Sequence, residues 1–369
     1  MEEVEEEPAK KKKSAGRILL RILIVILVLL LLIAIAGVIF MKVYVKPPEV
    51  NNVIRPSSNA SQSETGEEGE TQAEEVITGR DPDKYTFVVF GMDNGNGNTD
   101  TIMVATYDAG DGSLNIVSVP RDTMVNVPWQ TKKVNSIYAN TGGAEGFVKG
   151  LSDLLGYEVD FYVKIDLDAF VTLIDAIGGV YYDVPVNMNY EDPTQKLYIH
   201  INKGYQLLNG EDAMKVIRFR RYGNGDIGRI NTQQDFLKTA AQQRLENKKS
   251  INVSTYVNVF LNDVETDLTY GNLVWFGEQF LKMNKENINF YTLPGNYGDH
   301  VRHGGKDISY VTVYVDEWLD MVNQYLNPFV EPIELENVNI LTRNPNTGKL
   351  YATSGELAFS DGWGGARAS

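Results

Sequence analysis

The sequence predicts an α/β fold: a single domain with a central mixed β-sheet flanked by helices, preceded by one transmembrane helix. Three observations carry this. The run Ile22–Phe40 holds no charged residue. Short apolar runs such as YTFVVFG interleave with helix-period segments such as RINTQQDFLKTAAQQRLENKK. Finally, the 369 residues include no cysteine, so neither disulfides nor zinc–thiolate sites staple the chain. It must rest on a hydrophobic core, which 43% apolar residues permit.

Residues 1–17 read as a short cytoplasmic tail and residues 18–41 as the membrane span. At about 1.5 Å per residue the apolar run nearly matches a hydrocarbon core of about 30 Å. A buried core helix seldom reaches this length without a polar residue. A cleaved signal segment has a shorter apolar part ending in small residues, whereas this one exits through MKVYVKPP. The sequence therefore favours a retained anchor at the cell membrane. Lys10–Lys13, Arg17 and Arg21 precede the span, and only Lys42 and Lys46 follow closely. The positive-inside rule then leaves the N-terminus in the cytoplasm and the rest outside. Residues 42–83, rich in Pro, Ser, Asn, Gly and Glu, read as an extended extracytoplasmic linker.

Residues 84–328 carry the catalytic domain in this reading, and residues 329–369 a C-terminal extension with one further strand and a loose glycine-rich tail. YTFVVFG ending at Gly91 reads as a buried strand. TIMVATY and SLNIVSV, joined by the turn DAGDG, read as an antiparallel hairpin. YEVDFYVKIDL is another strand. DAFVTLIDAIGG reads as a helix capped by Asp166 or Asp168 and stopped at Gly178. GVYYDVPVNM returns to strand, a helix opens after Asn209, and a longer one ends in lysines.

The formal net charge is -15, which argues against nucleic acid as a partner. Locally basic clusters then read as sites for specific anions. Asp93 and Asp100 follow the first strand, and Arg121 and Asp122 follow NIVSVP, where α/β proteins place their sites. The plainer readings are turn formers for the aspartates and a surface ion pair for Arg121. Lys133 and Asn135 precede a helix containing Tyr138; a lysine alone says little.

The stretch RFRRYGNGDIGR, Arg218–Arg229, sets four arginines around three glycines. Arg218 and Arg220 share a face if extended; Arg218 and Arg221 share one if helical. The glycines allow a sharp turn or close approach to a ligand, and Arg229 opens the next helix, whose N–H groups also favour anions. Guanidinium forks facing a helix start suit phosphate; the bland alternative is a helix corner held by Asp226 and an arginine. Gln233 and Gln234 lie one turn on and could orient a sugar or phosphate oxygen. Arginines for phosphate and hard carboxylate ligands without Cys or His favour magnesium, or else manganese. Outside a membrane, lipid-linked pyrophosphates are the available substrates. His300 and His303 in DHVRH have zinc-like spacing but no third ligand, and read as loop residues.

The ordered blocks VVFGMDNGNGNTDTIMVATYD, SVPRDTMVNVP, KVNSIYANTGG, IDAIGGVYYDVPVNMNY and LNGEDAMKVIRFRRYGNGDIGRINTQQ resemble the LytR-CpsA-Psr family of cell-wall proteins, over roughly Lys84–Leu245 with an extension towards Tyr325. The resemblance implies a magnesium-dependent phosphotransferase. Such an enzyme moves an anionic glycopolymer, such as teichoic acid or capsule, from undecaprenyl pyrophosphate to peptidoglycan through a phosphodiester. Its lipid tail lies in an apolar groove.

By motif, Asp93 and Asp100 match the aspartates of metal and acid–base work, and Arg121 a catalytic pyrophosphate ligand. Arg218, Arg220 and Arg229 match further pyrophosphate ligands, Gln233 and Gln234 the paired glutamines, and Asp226 the aspartate before Gly-Arg. Lys133 joins the pyrophosphate set, and Asp226 the metal set with Asp93 and Asp100. The chain departs from the family at Asn94-Gly95, where an arginine is common, at Asn224-Gly225-Asp226 in place of Asp-Ser-Asp, and at Thr232 in place of arginine. A polyprenyl-pyrophosphate hydrolase and a non-catalytic wall sensor or attenuator are the competing functions.

Overall fold

Val88 and Phe90 point to one face of the strand Lys84–Met92 (β1), while Tyr85, Phe87 and Val89 point to the other. Both sets are apolar, so β1 must be covered on both sides. The computed structural model describes residues 32, 44–50, 79–92, 99–195, 197–223, 225–303 and 305–359. The expected tail and span lie outside these apart from Leu32, as do most of the linker and Asp93. Among the described residues no helix is long and apolar enough to cross a membrane. The chain divides into Met1–Pro47 and Pro48–Ser369, and the fold is that of the second unit.

β2 (Thr99–Asp108) runs antiparallel beside β1, and β3 (Ser113–Ser118) antiparallel beside β2. Their turn follows from DAGDG: Gly112 takes φ +69°, and the Asp108 carboxylate accepts from the backbone N–H groups of Gly110 and Asp111 at 2.8 and 3.3 Å. Helices α1 (Ile137–Thr141) and α2 (Ala144–Leu155) lead to β4 (Phe161–Ile165), parallel to β1. Helix α3 (Leu167–Ala176) starts at Asp166, whose carboxylate accepts from the Ala169 N–H at 2.8 Å. β5 (Val180–Val184), β6 (Met188–Asp192), β7 (Leu197–Ile201) and β8 (Gly204–Leu208) form two antiparallel ribbons, β5 with β8 and β6 with β7.

Asn209 caps α4 (Gly210–Arg218), and α5 (Asp226–Glu246) follows. Then come α6 (Val253–Asp263), β9 (Glu265–Thr266), α7 (Tyr270–Lys282) and β10 (Ile288–Thr292). β9 and β10 complete a mixed six-stranded sheet in the order β10-β3-β2-β1-β4-β9. The hairpin β11 (Gly295–His303) and β12 (Lys306–Val313), helix α8 (Val315–Met321) and the ribbon β13 (Leu341–Arg343) and β14 (Leu350–Ala352) end the fold. DHVRH is therefore strand, not loop. His300 there pairs with Asp307 of β12 at 3.1 Å, and among the described residues no group of three or more His, Asp and Glu could hold a metal ion.

Phe147 and Leu151 of α2 and Trp318 of α8 pack around Phe90 on one face of the sheet. Phe329, Ile333, Val338 and Ile340, which lie in the expected extension, join this same core. On the other face Leu245 of α5 and Trp275 and Phe276 of α7 meet Tyr85, Tyr107 and Phe161. A separate cluster around Tyr182, Ile199 and Phe236 ties the ribbons to α4 and α5.

One ion pair is sealed inside. Arg80 Nη2 lies 2.6 Å from Asp160 Oδ2, with side chains 5% and 0% exposed. The same carboxylate oxygen accepts from the Thr86 N–H and hydroxyl at 2.8 and 2.7 Å. It ties the segment entering the domain to the start of β4. Asp160→Ala leaves a buried guanidinium unpaired and is expected to cost about 3–5 kcal/mol in urea unfolding; a loss below about 1 kcal/mol would show that the pair is not structural.

Candidate functional site

In an antiparallel pair, the start of one strand meets the end of the next. Asp100, at the start of β2, therefore faces Arg121, three residues beyond β3. Arg121 Nη1 lies 2.6 Å from Asp100 Oδ1. The second carboxylate oxygen is taken by Arg220 Nη2 at 3.1 Å. Arg220 reaches it because α4 stops at Arg218 and Phe219 turns extended, with φ -63° and ψ 131°. Phe219 is buried in the ribbon core, while Arg218, still helical, and Arg220, just past the helix, line the same cavity, so the segment is neither wholly extended nor wholly helical.

Gly225 takes φ +64°, a left-handed backbone that lets the chain swing into α5. Arg229 in the first turn is 3% exposed, and its Nη2 lies 2.9 Å from Asp226 Oδ1 and 3.0 Å from Oδ2. Gln233, one turn on, donates to the Ile217 carbonyl at 3.0 Å and lies 3.3 Å from the Thr101 hydroxyl, joining α5 to α4 and β2.

Behind this cluster runs an apolar slot of about 170 Å³. Val89, Met103, Ile165, Phe170, Ile217 and Leu237 line it, and Asp100, Arg218, Arg220, Arg229 and Gln233 stand at its polar end. A narrow neck holding Asp100, Arg229 and Gln233 continues to Arg121. Beyond the neck lies a polar cleft that includes Arg121, Asp122, Lys133 and Asn135.

Arginines crowd the neck. Arg121 and Arg220 share Asp100, and Arg229 is paired with Asp226. Burial alone would raise the pKa of Asp100. Arg220 and the hydrogen bond and charge of Arg121 outweigh that and hold it below the ordinary carboxylate value. Burial would lower the pKa of Arg121, and its bond to Asp100 reverses the sign. Arg229 ends lower than an ordinary arginine: burial acts first, Asp226 opposes it, and Arg121 and Arg220 add repulsion. A cluster in this state gains from one more anion.

The expected site residues separate into three groups. Asp100, Arg121, Arg218, Arg220, Arg229 and Gln233 converge on the slot and neck. Lys133 stands in the cleft instead, with its Nζ 2.9 Å from Asp122 Oδ1. Gln234 does not face the slot. Its amide nitrogen reaches the Ser118 hydroxyl, the Tyr291 carbonyl and the Thr292 hydroxyl at 2.9, 2.7 and 3.0 Å, bridging β3 and β10. The reason is helical geometry: consecutive residues sit about 100° apart, so only one of the paired glutamines can face the slot. Asp226 is engaged by Arg229. Asp93 lies outside the described residues.

Sequence reasoning missed Asn140, Ile308 and Tyr310, which line the cleft. The latter two come from β12, far from Arg121 in the chain, and no local pattern marks them.

A family profile described as the LytR_cpsA_psr family matches residues 51–325. The chain belongs to this family. Among LytR_cpsA_psr relatives, a regulatory protein MsrR of Staphylococcus aureus is 28% identical over 215 residues, covering 57% of this chain and 64% of its own. The cell wall biosynthesis protein LcpA of Corynebacterium glutamicum is 29% identical over 246 residues, covering 57% of this chain and 46% of its own. An uncharacterized Staphylococcus aureus protein is 25% identical, and this chain spans 59% of its length. The fold matches that of B. subtilis TagV with a TM-score of 0.56 at 22% identity, covering 67% of this chain and 98% of that one. TagT bound to LI-WTA matches with a TM-score of 0.54 at 19% identity, covering 67% of this chain and 91% of that one.

Two outcomes test this geometry. Gln234→Ala is expected to cost about 1–2 kcal/mol of stability through the orphaned partners on β3 and β10, seen in chemical unfolding; unchanged stability would place Gln234 elsewhere. For Asp100 the native pKa is depressed, so its ion pairs add stability above the unfolded value of about 3.9 and lose it as pH falls through the lower native value. In metal-free buffer the stability gap between the native chain and Asp100→Asn is expected at pH 7, shrinking below about pH 5 and closing below the native pKa. A gap of constant size down to pH 2 would remove the ion cluster from the account.

Proposed function

We propose that this chain is a membrane-anchored phosphotransferase that moves an anionic glycopolymer from undecaprenyl pyrophosphate to peptidoglycan through a phosphodiester bond. One observation carries the reading: an apolar slot ends at a guanidinium cluster in which Arg121 and Arg220 share a single carboxylate. That pairing suits a ligand with a long hydrocarbon tail and a multiply charged anionic head. LytR_cpsA_psr membership supports it, as do a relative named for cell wall biosynthesis and a similar fold bound to LI-WTA. The span at residues 18–41 would hold the domain outside the membrane, within reach of lipid-linked donors.

The chemistry follows from the positions of the arginines. An acceptor sugar hydroxyl attacks the polymer-side phosphorus, a new P–O bond forms, and the bond from that phosphorus to the bridging oxygen breaks. The bridging oxygen leaves with the lipid as a phosphate monoester. The hydroxyl proton is taken up by that monoester, whose second ionisation lies near 6, or by solvent. Charge gathers on the bridging and terminal oxygens as this proceeds. Arg121, Arg220 and Arg229 are already aimed at one spot and would stabilise that charge without reorganising.

A divalent cation fits in a limited way. Magnesium binds through one or two carboxylates plus substrate phosphates rather than in a protein cage. Asp100 is the described carboxylate at both slot and neck, and its two arginines would pass to the phosphates when a donor enters. Magnesium held by Asp100 and the phosphates would neutralise charge on the leaving group; Asp226 is committed to Arg229.

Arg121→Ala is expected to reduce transfer from a polyprenyl-pyrophosphate-linked saccharide to glycan by about 100-fold or more, with little change in unfolding temperature. Transfer at the native rate would sink the assignment. Release of free saccharide at the same rate with and without glycan acceptor would identify a hydrolase instead.

A further inference from the structure

Phosphoryl transfer needs the attacking and leaving oxygens roughly in line. If the lipid tail leaves by the slot, the nucleophile must enter on the other side of the neck. The polar cleft lies there: slot and neck share Asp100, Arg229 and Gln233, neck and cleft share Arg121, and slot and cleft share no residue. We propose that this cleft is the subsite for the acceptor saccharide, and that the C-terminal segment Ser354–Phe359 holds its wall in place. The inference rests on the transferase reading above.

The lining has the chemistry of sugar recognition. The cavity measures about 510 Å³, roomier than the slot. Asn140 is exposed and uses one amide hydrogen on the Ser136 carbonyl at 2.7 Å, leaving its carbonyl oxygen towards the cleft side of α1. The Asn135 side chain makes no hydrogen bond to the described residues, while its backbone N–H donates to the Arg121 carbonyl at 3.2 Å. The open edge of the Asp122–Lys133 pair offers a further acceptor and donor, and Ile308 supplies an apolar surface. Asp122 pairs with Lys133, and Arg121, at the boundary of neck and cleft, is held by Asp100. Amides, a balanced ion pair and a hydrocarbon patch suit a neutral ligand rich in hydroxyl and acetamido groups.

The wall is braced from beyond the family match, which ends at residue 325. Asn126, in the loop that carries Arg121 and Lys133, donates to the Glu356 carbonyl at 2.9 Å and accepts from the Ala358 N–H at 2.8 Å. The Phe359 ring lies 3.9 Å from Lys132 Nζ and packs on the cluster of Met124 and Tyr310. Met124 belongs to the same loop and Tyr310 to β12, so the C-terminal segment clamps both sides of the cleft. Asn126, Asn135 and Phe359 thus act as positioning or binding residues, outside the pyrophosphate cluster.

The test uses the full chain in lipid nanodiscs and a soluble β-1,4-linked N-acetylglucosamine oligomer, followed by NMR titration. A short-chain polyprenyl pyrophosphate is titrated in parallel. Asn140→Ala and Asn135→Ala are each expected to weaken saccharide binding about tenfold, which is about 1.4 kcal/mol, with pyrophosphate binding unchanged. Arg218→Ala is expected to do the reverse. Phe359→Ala is expected to weaken the saccharide several-fold, and in turnover to raise the acceptor KM with little change in kcat. Saccharide binding that is absent in the native chain, or of native strength in both asparagine variants, would overturn the subsite. Native affinity in Phe359→Ala would overturn the clamp. Loss of the transferase reading looks different: the lipid pyrophosphate would fail to bind the native chain while the saccharide result stood.

Discussion

The site depends on one carboxylate. Asp100 accepts from Arg121 on one oxygen and Arg220 on the other, and so holds together guanidinium groups from distant parts of the chain. Two like charges about 4 Å apart repel by about 4 kcal/mol at an effective dielectric of 20. Without a shared anion the two arginines would turn outward, towards solvent. On the proposed reading, Asp100 would keep their place for a phosphate until a donor enters. A ligand entering must displace a carboxylate, which costs some affinity, but it meets donors already aimed. Arg229 differs. It is buried, bonded by both oxygens of Asp226 and placed in the first turn of a long helix, so it is fixed in all states.

The slot is a consequence of how the two halves of the domain join. Phe170 and Leu237 line it and belong also to the ribbon cluster, while Val89 and Ile165 come from the sheet. Where a sheet and a separate helix–ribbon unit meet, their side chains do not interdigitate as fully as within either, and an apolar gap can persist. Its mouth is polar because α4 ends and α5 begins there, and helix ends leave backbone groups to be satisfied.

Much of this was legible in the sequence because it is written in local patterns. Asp166 and Asn209 cap the helices they precede, DAGDG makes its hairpin, and the spacing of Arg218 and Arg220 around an apolar Phe219 points both arginines the same way. The convergence of Arg121 with Arg220 was legible only through the resemblance, since no periodicity joins residues so far apart. What escaped is non-local. Gln234 looks identical to Gln233 until the sheet is built beneath the helix. The pair Arg80–Asp160 unites a linker residue with the start of a strand. DHVRH has few apolar residues, yet it pairs with Lys306–Tyr310 of β12, and its one apolar residue, Val301, is buried with Tyr310. The chain beyond 328 reads as an extension with one strand, and nothing local in it says that Phe329, Ile333, Val338 and Ile340 join the main core.

On the proposed reading, the acidity of the chain as a whole would make the neck selective. A net charge of -15 opposes anionic polymers over the surface at large. At physiological salt that repulsion fades within about 8 Å, so the guanidinium groups rule only their own surroundings. An anionic donor would then be held where it has a phosphate to place among the arginines, and not elsewhere along its length. After the proposed transfer the pyrophosphate would no longer exist, and the polymer would keep a single phosphodiester charge at the site. The strongest attraction would be lost at the moment of reaction while the general repulsion remained, which would favour release of the product over its retention.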